Sequence, residues 1–420
     1  MAKKIGQITL IILIGILIRI LISPLNTSGD IAVHQEWARV LYRKGLTNSY
    51  FYSHWPTSIP TQPPLMMLGF WLSEHLYQNQ YVLSELHNQI HLPPTAIILW
   101  FDQNGEFLLL KIWAIIGDII SALIAYFVIK KITQKSNLAI IGVLLIMLNP
   151  VSIYESAFWG QNDIIGSAFA YASLLLFTSA NASFLSIPLF IVAFSIKPTV
   201  TILIPIYILI FIKMFKYKLL LSQFAGITIG LILLILSFKP FLNQSPPNIN
   251  EIYTIVNHRI SPSSKGVIRA SNSAFNFYSL FYTLDRTPGN LPFLFINLNI
   301  LGIIFYIIIV TAVAFHLFKN KLTPTNYLFY IFFISQGAFI FMTSMLERYF
   351  FPAFIASNIL LVTNPKNTRK YFILQNILWL LNLIFSRPQS LLLVKILSLV
   401  AILNYLTIYS FFISQTPNKK

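Results

Sequence analysis

The chain has 420 residues, of which 56% are hydrophobic and 10% charged, with a mean hydropathy of +0.72 and a formal net charge of +17. A soluble domain carries about 25% charged residues, so this composition excludes one and points to a polytopic membrane protein. The absence of cysteine excludes disulfides and thiolate metal sites, and it leaves the redox compartment open.

The N-terminus opens with Lys3 and Lys4 and then runs apolar to Ile22, as a signal peptide would. The run is long and no small-residue cleavage pattern follows it, so it reads as a retained first span over 5–24. A first extracytoplasmic loop over 25–106 comes next. In it, "DIAVHQEWARVLYRKGL" mixes Ile31, Trp37, Ala38 and Leu41 with Arg39, Arg43 and Lys44, and reads as an amphipathic helix on the membrane surface, ended by Gly45. "PPLMMLGFWLSEHLY" reads as a second such helix, started by Pro63 and Pro64. A helical span needs about 20 mostly apolar residues. That criterion predicts eleven more, at 107–129, 138–153, 163–180, 184–197, 199–212, 219–239, 291–318, 325–345, 349–363, 371–386 and 389–413, with a long outer loop at 240–290. The fold class expected is an all-α membrane protein of about twelve transmembrane helices in one integral membrane domain, residues 1–420.

The basic residues fall in short clusters between the apolar runs: Lys3/Lys4, Lys130/Lys131/Lys135, Lys213/Lys216/Lys218, Lys319/Lys321, Lys366/Arg369/Lys370 and Lys419/Lys420. This is the positive-inside pattern, and it argues against nucleic acid as a partner. With the N-terminus inside, both termini are cytoplasmic and every cluster lies on that side. The carboxylates sort the other way. Asp30, Glu36, Glu74, Glu85, Asp102 and Glu106 fall in the first outer loop, Glu155 and Asp163 at the second, Glu251 and Asp285 in the long one, and Glu347 just before the tenth span. Only Asp118 falls inside a span. Chemistry that needs a carboxylate is therefore expected on the outer face.

Several stretches hold candidate residues. Asp30, directly after Gly29, suits a helix N-cap; it also lies four residues from His34, on one helical face, where a carboxylate and an imidazole make a proton-transfer pair or half a metal site. "SAFWGQNDIIG" places Trp159, Gly160, Gln161, Asn162 and Asp163 between two apolar runs, with Glu155 just before it. Capping by Asp163 and an interfacial role for Trp159 explain part of this turn; substrate binding is the rival reading. Lys197 in "SIKPTV" sits where Pro198 breaks a helix, a costly place for a charge. Other cations near the outer surface are His258 and Arg259 in "VNHRI", Lys265, Arg269, and Arg348 beside Glu347 in "MLERYFFP". The planar fork of Arg348 suits a phosphate. Finally, Asp118 within "KIWAIIGDIISAL" requires a buried partner, and Arg19 in the first span is the candidate.

The order of these elements resembles the GT-C membrane glycosyltransferases, nearest the bacterial relatives of the second mannosyltransferase of GPI-anchor assembly. The resemblance rests on an outer loop opening with Asp30, then "QPPL", "LKIWAIIGDIISA", "NPVSIYESAFWGQND", the "KP" break and "ERYFFP", and it covers roughly Asp30 to Pro352. Leu346 stands where relatives commonly have His before the "ERY", and Thr199 where Gln is frequent. The resemblance implies a multi-span fold with juxtamembrane helices, a sugar carried on polyprenyl phosphate, inversion at the sugar carbon, and Asp30 as catalytic base.

The chemistry of the residues fits that expectation. Phosphate is a good leaving group, so transfer from a lipid phosphate needs one carboxylate for the acceptor's proton and cations for the departing phosphate. A glycosidase needs two carboxyls flanking the bond. The expected activity is transfer of a hexose, mannose by the resemblance, to an acceptor on the extracytoplasmic face of the plasma (inner) membrane. Asp30 is the expected catalytic group. His34, Gln62, Glu155, Trp159, Gln161, Asn162 and Asp163 are expected to meet substrate, and Lys197, His258, Arg259 and Arg348 the donor phosphate. The partners are a polyprenyl-phosphate sugar, membrane lipids, and a glycan, glycolipid or protein acceptor. No cofactor is implied; a divalent metal stays open. A secondary transporter or lipid flippase is the alternative, although no second half repeats the large first loop. An outer-face polymerase of lipid-linked oligosaccharides differs only in donor size.

Overall fold

The structure is a computed structural model that describes residues 2–179, 181–243, 248–260, 268–364, 366–385 and 390–414. Lys265, Lys419 and Lys420 lie outside them. About 78% of the chain is helical. The only sheet among the described residues is a hairpin of β1 (Pro292–Phe293) and β2 (Ile296–Asn297), so the fold is all-α.

The chain begins with α1 (Ala2–Ile22), one apolar helix with Arg19 in its last turn. Gly29 turns the chain into α2 (Asp30–Lys44), and Gly45 at φ 83° ends that helix where the sequence predicts. Two more helices follow in the outer segment, α3 (Pro64–Gln78) and α4 (Tyr81–Ile90). Helix α5 (Thr95–Thr133) then starts twelve residues before the predicted 107, so Asp102 and Glu106 are helical and not in a loop. Next come α6 (Ser136–Met147) and α7 (Pro150–Ile153), the latter running into a π-helical turn at Tyr154–Trp159. Helices α8 (Asp163–Phe177) and α9 (Ser186–Ile196) lead to a tight 3-10 turn at Pro198–Leu203 and to α10 (Ile204–Lys213). After α11 (Tyr217–Phe238), the expected long loop holds α12 (Ile249–Ile255) and a π turn at Val256–Ile260, while the hairpin takes up the start of the span predicted from 291, whose helix begins at Leu298. The rest is α13 (Leu298–Lys319), α14 (Pro324–Phe341), α15 (Phe351–Thr363), α16 (Lys366–Ile384) and α17 (Leu391–Ser414).

Among the described residues, six helical segments are long and apolar enough to cross a membrane: Lys3–Leu25, Thr95–Thr133, Ser136–Trp159, Lys218–Phe241, Leu298–Lys319 and Leu391–Ser414. Every predicted span coincides with a helix, but half of the expected twelve are shorter or less apolar than this. Two of these six are wrapped by protein. Helices α14 and α15 are apolar on every side, and residues 327–340 and 351–360 are all buried, as expected of helices wrapped by others. By contrast, α11 turns Phe224, Leu231, Ile232 and Leu236 outward, and α13 turns Ile300, Ile303, Ile307 and Ile308. Apolar flanks of this extent suit lipid, and the chain is a membrane protein.

Two apolar cores meet at one level. The larger fills the bundle around α5, α8, α14 and α15. The smaller forms where Ile31, Trp37, Ala38 and Leu41 of α2 and Met66, Met67 and Phe70 of α3 settle on Leu110, Ile165, Ile196 and Phe241. Fully burying each large side chain contributes about 1.5–3 kcal/mol, which is what holds the two outer helices to the bundle. At the same level Gly117 lets α5 and α8 touch, because a Cβ there would lie 2.6 Å from the Ile165 backbone.

The expected partner of Asp118 is present. Arg19 Nε donates to Asp118 Oδ2 at 2.7 Å, and both side chains are fully buried. The remaining guanidinium donors reach the Met147 carbonyl at 2.6 Å, the Gly15 carbonyl at 3.0 Å and Ser152 Oγ at 3.0 Å, and Nε also meets Ser156 Oγ at 3.3 Å. Removing one partner of such a pair leaves an uncompensated buried charge. Arg19→Met is therefore expected to lower stability by about 3–5 kcal/mol, while the double variant Arg19→Met/Asp118→Leu recovers a large part of the loss. Thermal unfolding of the purified chain in detergent measures both.

Candidate functional site

Asp30 is the first residue of α2, not its cap. Gly29 holds the cap position at φ 67° with no side-chain bond, and its carbonyl takes the Ala32 and Val33 amides at 3.1 and 3.3 Å. The Asp30 carboxylate is thereby free. Its Oδ2 accepts a bond from Gln161 Nε2 at 2.5 Å and lies 3.5 Å from Arg348 Nη2, while no bond reaches Oδ1 among the described residues. The side chain is 46% exposed, so a ligand can reach it. One turn on, His34 shares the face, as the spacing predicts. Its ring stacks on Phe70 at 4.5 Å and is nearly buried. Burial lowers its pKa to about 3 against the opposing pull of Asp30, and Nδ1 has no partner within the protein. His34 is therefore a neutral imidazole at ordinary pH, suited to hydrogen bonding and not to holding a charge.

The turn around Gly160 is built differently from the expectation. Asn149 caps α7 by accepting the Val151 amide at 3.0 Å. Gly160 adopts φ 79°, where a Cβ would meet Ile31 and Lys111 at 2.9 Å, so glycine is required on both counts. The cap of α8 is Glu155, whose Oε1 accepts the Asp163 amide at 2.9 Å and the Ile164 amide at 3.4 Å. Glu155 is fully buried and does not line the cavity that Asp30 and Gln161 share, which corrects its expected place against substrate. Asp163 is thus released from capping. Its Oδ2 lies 3.0 Å from Lys197 Nζ and 3.5 Å from Arg348 Nε. Trp159 lies beneath Arg348, ring centroid to guanidinium carbon 5.2 Å, and Asn162 is buried with neither amide atom bonded. Of the residues proposed from this turn, only Gln161 reaches the cavity.

The cations divide in the same way. Lys197 is the extended residue between α9 and the Pro198 turn, and the break aims it at Asp163. Arg348 sits among three carboxylates: Glu347 at 2.5 Å, and Asp30 and Asp163 at 3.5 Å. Burial raises the Glu347 carboxyl, with Arg348 opposing it. His258 is exposed, and Arg259 Nε donates to the Tyr50 carbonyl at 3.0 Å. Neither faces the cavity; their neighbours Val256 and Ile260 do, because the π turn rotates the basic pair away. Arg269 pairs through its backbone with Pro288 and Ser344.

What forms is a cavity of about 570 Å³ at the junction of the two apolar cores. Asp30, His34, Gln62, Gln161, Lys197 and Arg348 supply its charged, imidazole and amide groups, Ser58, Thr61, Thr199 and Thr201 line it as well, and Trp37, Phe194, Ile202, Met342, Met345 and Tyr349 form much of its apolar wall. Around it His34 Nδ1, Gln161 Oε1 and Asp163 Oδ1 are buried without a hydrogen bond among the described residues, while Arg348 Nε and Asp163 Oδ2 meet each other only as an ion pair at 3.5 Å and Asp163 Oδ2 also meets Lys197. Buried polar groups are seldom left unbonded, so these atoms have capacity for further hydrogen bonds. Among the described residues no group of three or more His, Asp or Glu side chains is arranged to hold a metal.

Lys111 is the residue that the sequence reading missed. It is fully buried and paired with no carboxylate; its Nζ donates to the carbonyls of Ser23 at 2.6 Å, Asn26 at 2.8 Å and Phe158 at 3.1 Å. One ammonium thus ties the strand that delivers Asp30 to the turn that delivers Gln161. On the far side of α2, Glu106 grips Arg39 through two bonds of 2.7 Å and Gln35 through another of 2.7 Å. Against it lies Glu74, nearly buried, bonded to Gln78 at 2.7 Å and raised to about 7 by burial first and by Glu106.

Lys111→Met is expected to lower the unfolding temperature and to weaken ligand binding in the cavity, since three buried carbonyls lose a donor at about 1–3 kcal/mol each; calorimetry and ligand titration measure the two effects. Glu74 makes a second expectation. Its folded pKa lies above its unfolded value, so the native state holds the extra proton, and stability is lost as pH rises from about 4.5 through about 7. Glu74→Gln should flatten that slope in denaturation curves taken from pH 5 to 8. Compared with protein-family models and with curated proteins, the chain matches none.

Proposed function

We propose that the chain is a membrane glycosyltransferase of the GT-C type, which moves a hexose from a polyprenyl-phosphate donor to an acceptor hydroxyl with inversion. The observation that carries this reading is the shared cavity: one accessible carboxylate, Asp30, stands with two cations, Lys197 and Arg348, in a pocket that is otherwise largely apolar. A lone carboxylate beside two phosphate-binding cations suits transfer from a phosphate leaving group better than it suits hydrolysis by a carboxyl pair.

In the proposed step Gln161 and Arg348 address Asp30 Oδ2 and leave Oδ1 to the acceptor. Asp30 takes the acceptor's hydroxyl proton as that oxygen attacks the anomeric carbon from the face opposite the phosphate. The bond from that carbon to the phosphate oxygen breaks, and its electron pair leaves with the phosphate. Arg348 and Lys197 meet the departing charge; Arg348 Nε has no hydrogen bond to surrender. Neutral His34 and Gln62 offer bonds to sugar or acceptor hydroxyls. Asp163, behind both cations, positions them. In this reading the shorter apolar helices complete a bundle of twelve spans, the termini are cytoplasmic, and the cavity opens on the extracytoplasmic face of the plasma membrane.

Purified protein in lipid vesicles, supplied with labelled polyprenyl-phosphate hexoses and several acceptors, tests the proposal. Asp30→Asn is expected to cut transfer by about 10²–10⁴-fold, the usual worth of a general base, while donor binding and the unfolding temperature hold. An active Asp30→Asn variant removes Asp30 from its role. Counterflow of substrate without product, in folded protein, replaces the enzyme with a transporter.

A further inference from the structure

A second cleft lies at the other end of the bundle. It encloses about 350 Å³ between the ends of α5, α8, α10 and α14, and its wall is Phe127, Leu175, Met214, Leu322 and Tyr327, with Lys131 at its edge. Helical rise gives its distance from the first cavity. Helix α8 runs from Asp163 to Phe177, one residue short of Thr178 in the cleft, and α14 runs from Pro324 in the cleft to Phe341, one residue short of Met342 in the first cavity. At 1.5 Å per residue these helices separate the two by about 20–27 Å, close to the hydrocarbon thickness of a bilayer. The cleft therefore opens near the opposite membrane surface.

Its charge is one-sided. Lys130, Lys131, Lys135, Lys213, Lys216, Lys319 and Lys321 lie in or beside the helix ends that form it, and residues 119–154, 164–250, 286–346 and 348–420 contain no Asp or Glu. Several of these lysines are already engaged. Lys213 donates to the carbonyls of Phe318 and Asn320 at 3.3 and 3.1 Å, Lys319 lies over Phe315 at 3.8 Å, and Lys130 over Tyr126 at 5.7 Å. The exposed ammonium of Lys131 has no ion pair, hydrogen bond or ring partner among the described residues. An apolar cleft at lipid depth, edged by an unpartnered cation within a field that holds no carboxylate, is complementary to one occupant.

We propose that this cleft binds an anionic phospholipid of the adjacent leaflet, with its acyl chains against Phe127, Leu175 and Met214 and its phosphate at Lys131. Basic pockets between helices on one membrane side recognise anionic headgroups through this combination of field and apolar wall. The site is separate from the Asp30 cavity and does not depend on the reaction proposed there.

The full-length protein in neutral detergent, incubated with equal amounts of phosphatidylglycerol and phosphatidylcholine, tests the proposal by native mass spectrometry of the retained lipid. Phosphatidylglycerol should be retained preferentially. Lys131→Gln should reduce that preference about fivefold, the worth of one lysine near an anionic surface, and Lys131→Arg should keep it. Lys44→Gln on α2 and Asp30→Asn should leave it unchanged. Thermal unfolding confirms that each variant is folded. Equal retention of the two lipids, or an unchanged preference in folded Lys131→Gln, overturns the proposal.

Discussion

The buried pair of Arg19 and Asp118 is the constraint on which the rest is arranged. Two opposite charges without exposure need further hydrogen bonds to offset their desolvation, and Arg19 gains them by reaching four elements at once. It binds Asp118 on α5, the Met147 carbonyl at the end of α6, Ser152 on α7 and Ser156 in the π turn. The first helix is thereby fixed in rotation and height against the bundle. Asp30 follows it by a short link, so the position of the accessible carboxylate descends from that pair. Lys111 then closes the link by holding the Ser23, Asn26 and Phe158 carbonyls together.

The cavity itself is an assembly of charges that would be costly singly. An exposed ion pair contributes at most about 1 kcal/mol; here Asp163, Lys197, Glu347 and Arg348 are largely removed from water, and each has an opposite charge within 3.5 Å. The surplus lies in reach. Arg348 touches carboxylates from α2, α8 and its own turn, so one side chain senses three walls of the pocket. Its contacts to Asp30 and Asp163 are long at 3.5 Å, while the pair with Glu347 is short.

Local features of the sequence were legible where spacing or cost is local. The four-residue step from Asp30 to His34 put both on one face, Gly45 ended its helix, and Pro198 broke the chain beside Lys197. A charge inside an apolar run demands a partner, and that rule correctly paired Asp118 with Arg19. The same rule applied to Lys111, seven residues earlier in the same stretch, where it was not followed; its partners are carbonyls, which carry no signature in sequence. What failed was assignment within the turn. Whether Glu155 or Asp163 caps α8 depends on a π-helical turn that brings Glu155 back over the helix start, and no periodicity announces it. His258 and Arg259 were placed by charge alone, and the π turn that carries them faces its apolar residues inward. Of the twelve expected spans, six have the length and hydropathy of a crossing helix; α14 and α15 are wrapped by protein, a state that hydropathy does not separate from contact with lipid.

Helix α5 is one unbroken rod of 39 residues, about 58 Å at 1.5 Å per residue. It holds Glu106 against α2 near one end, Lys111 and Asp118 along its middle, and Lys131 near the other. A rod nearly twice as long as the hydrocarbon layer is thick cannot match it by stretching or compressing; it responds to a thicker or thinner bilayer by leaning. Because the grip on α2 and the lipid-facing lysine ride on the same shaft, leaning in either leaflet carries the aspartate's platform with it. One continuous shaft thus joins the element that braces the pocket to the cleft at the far end.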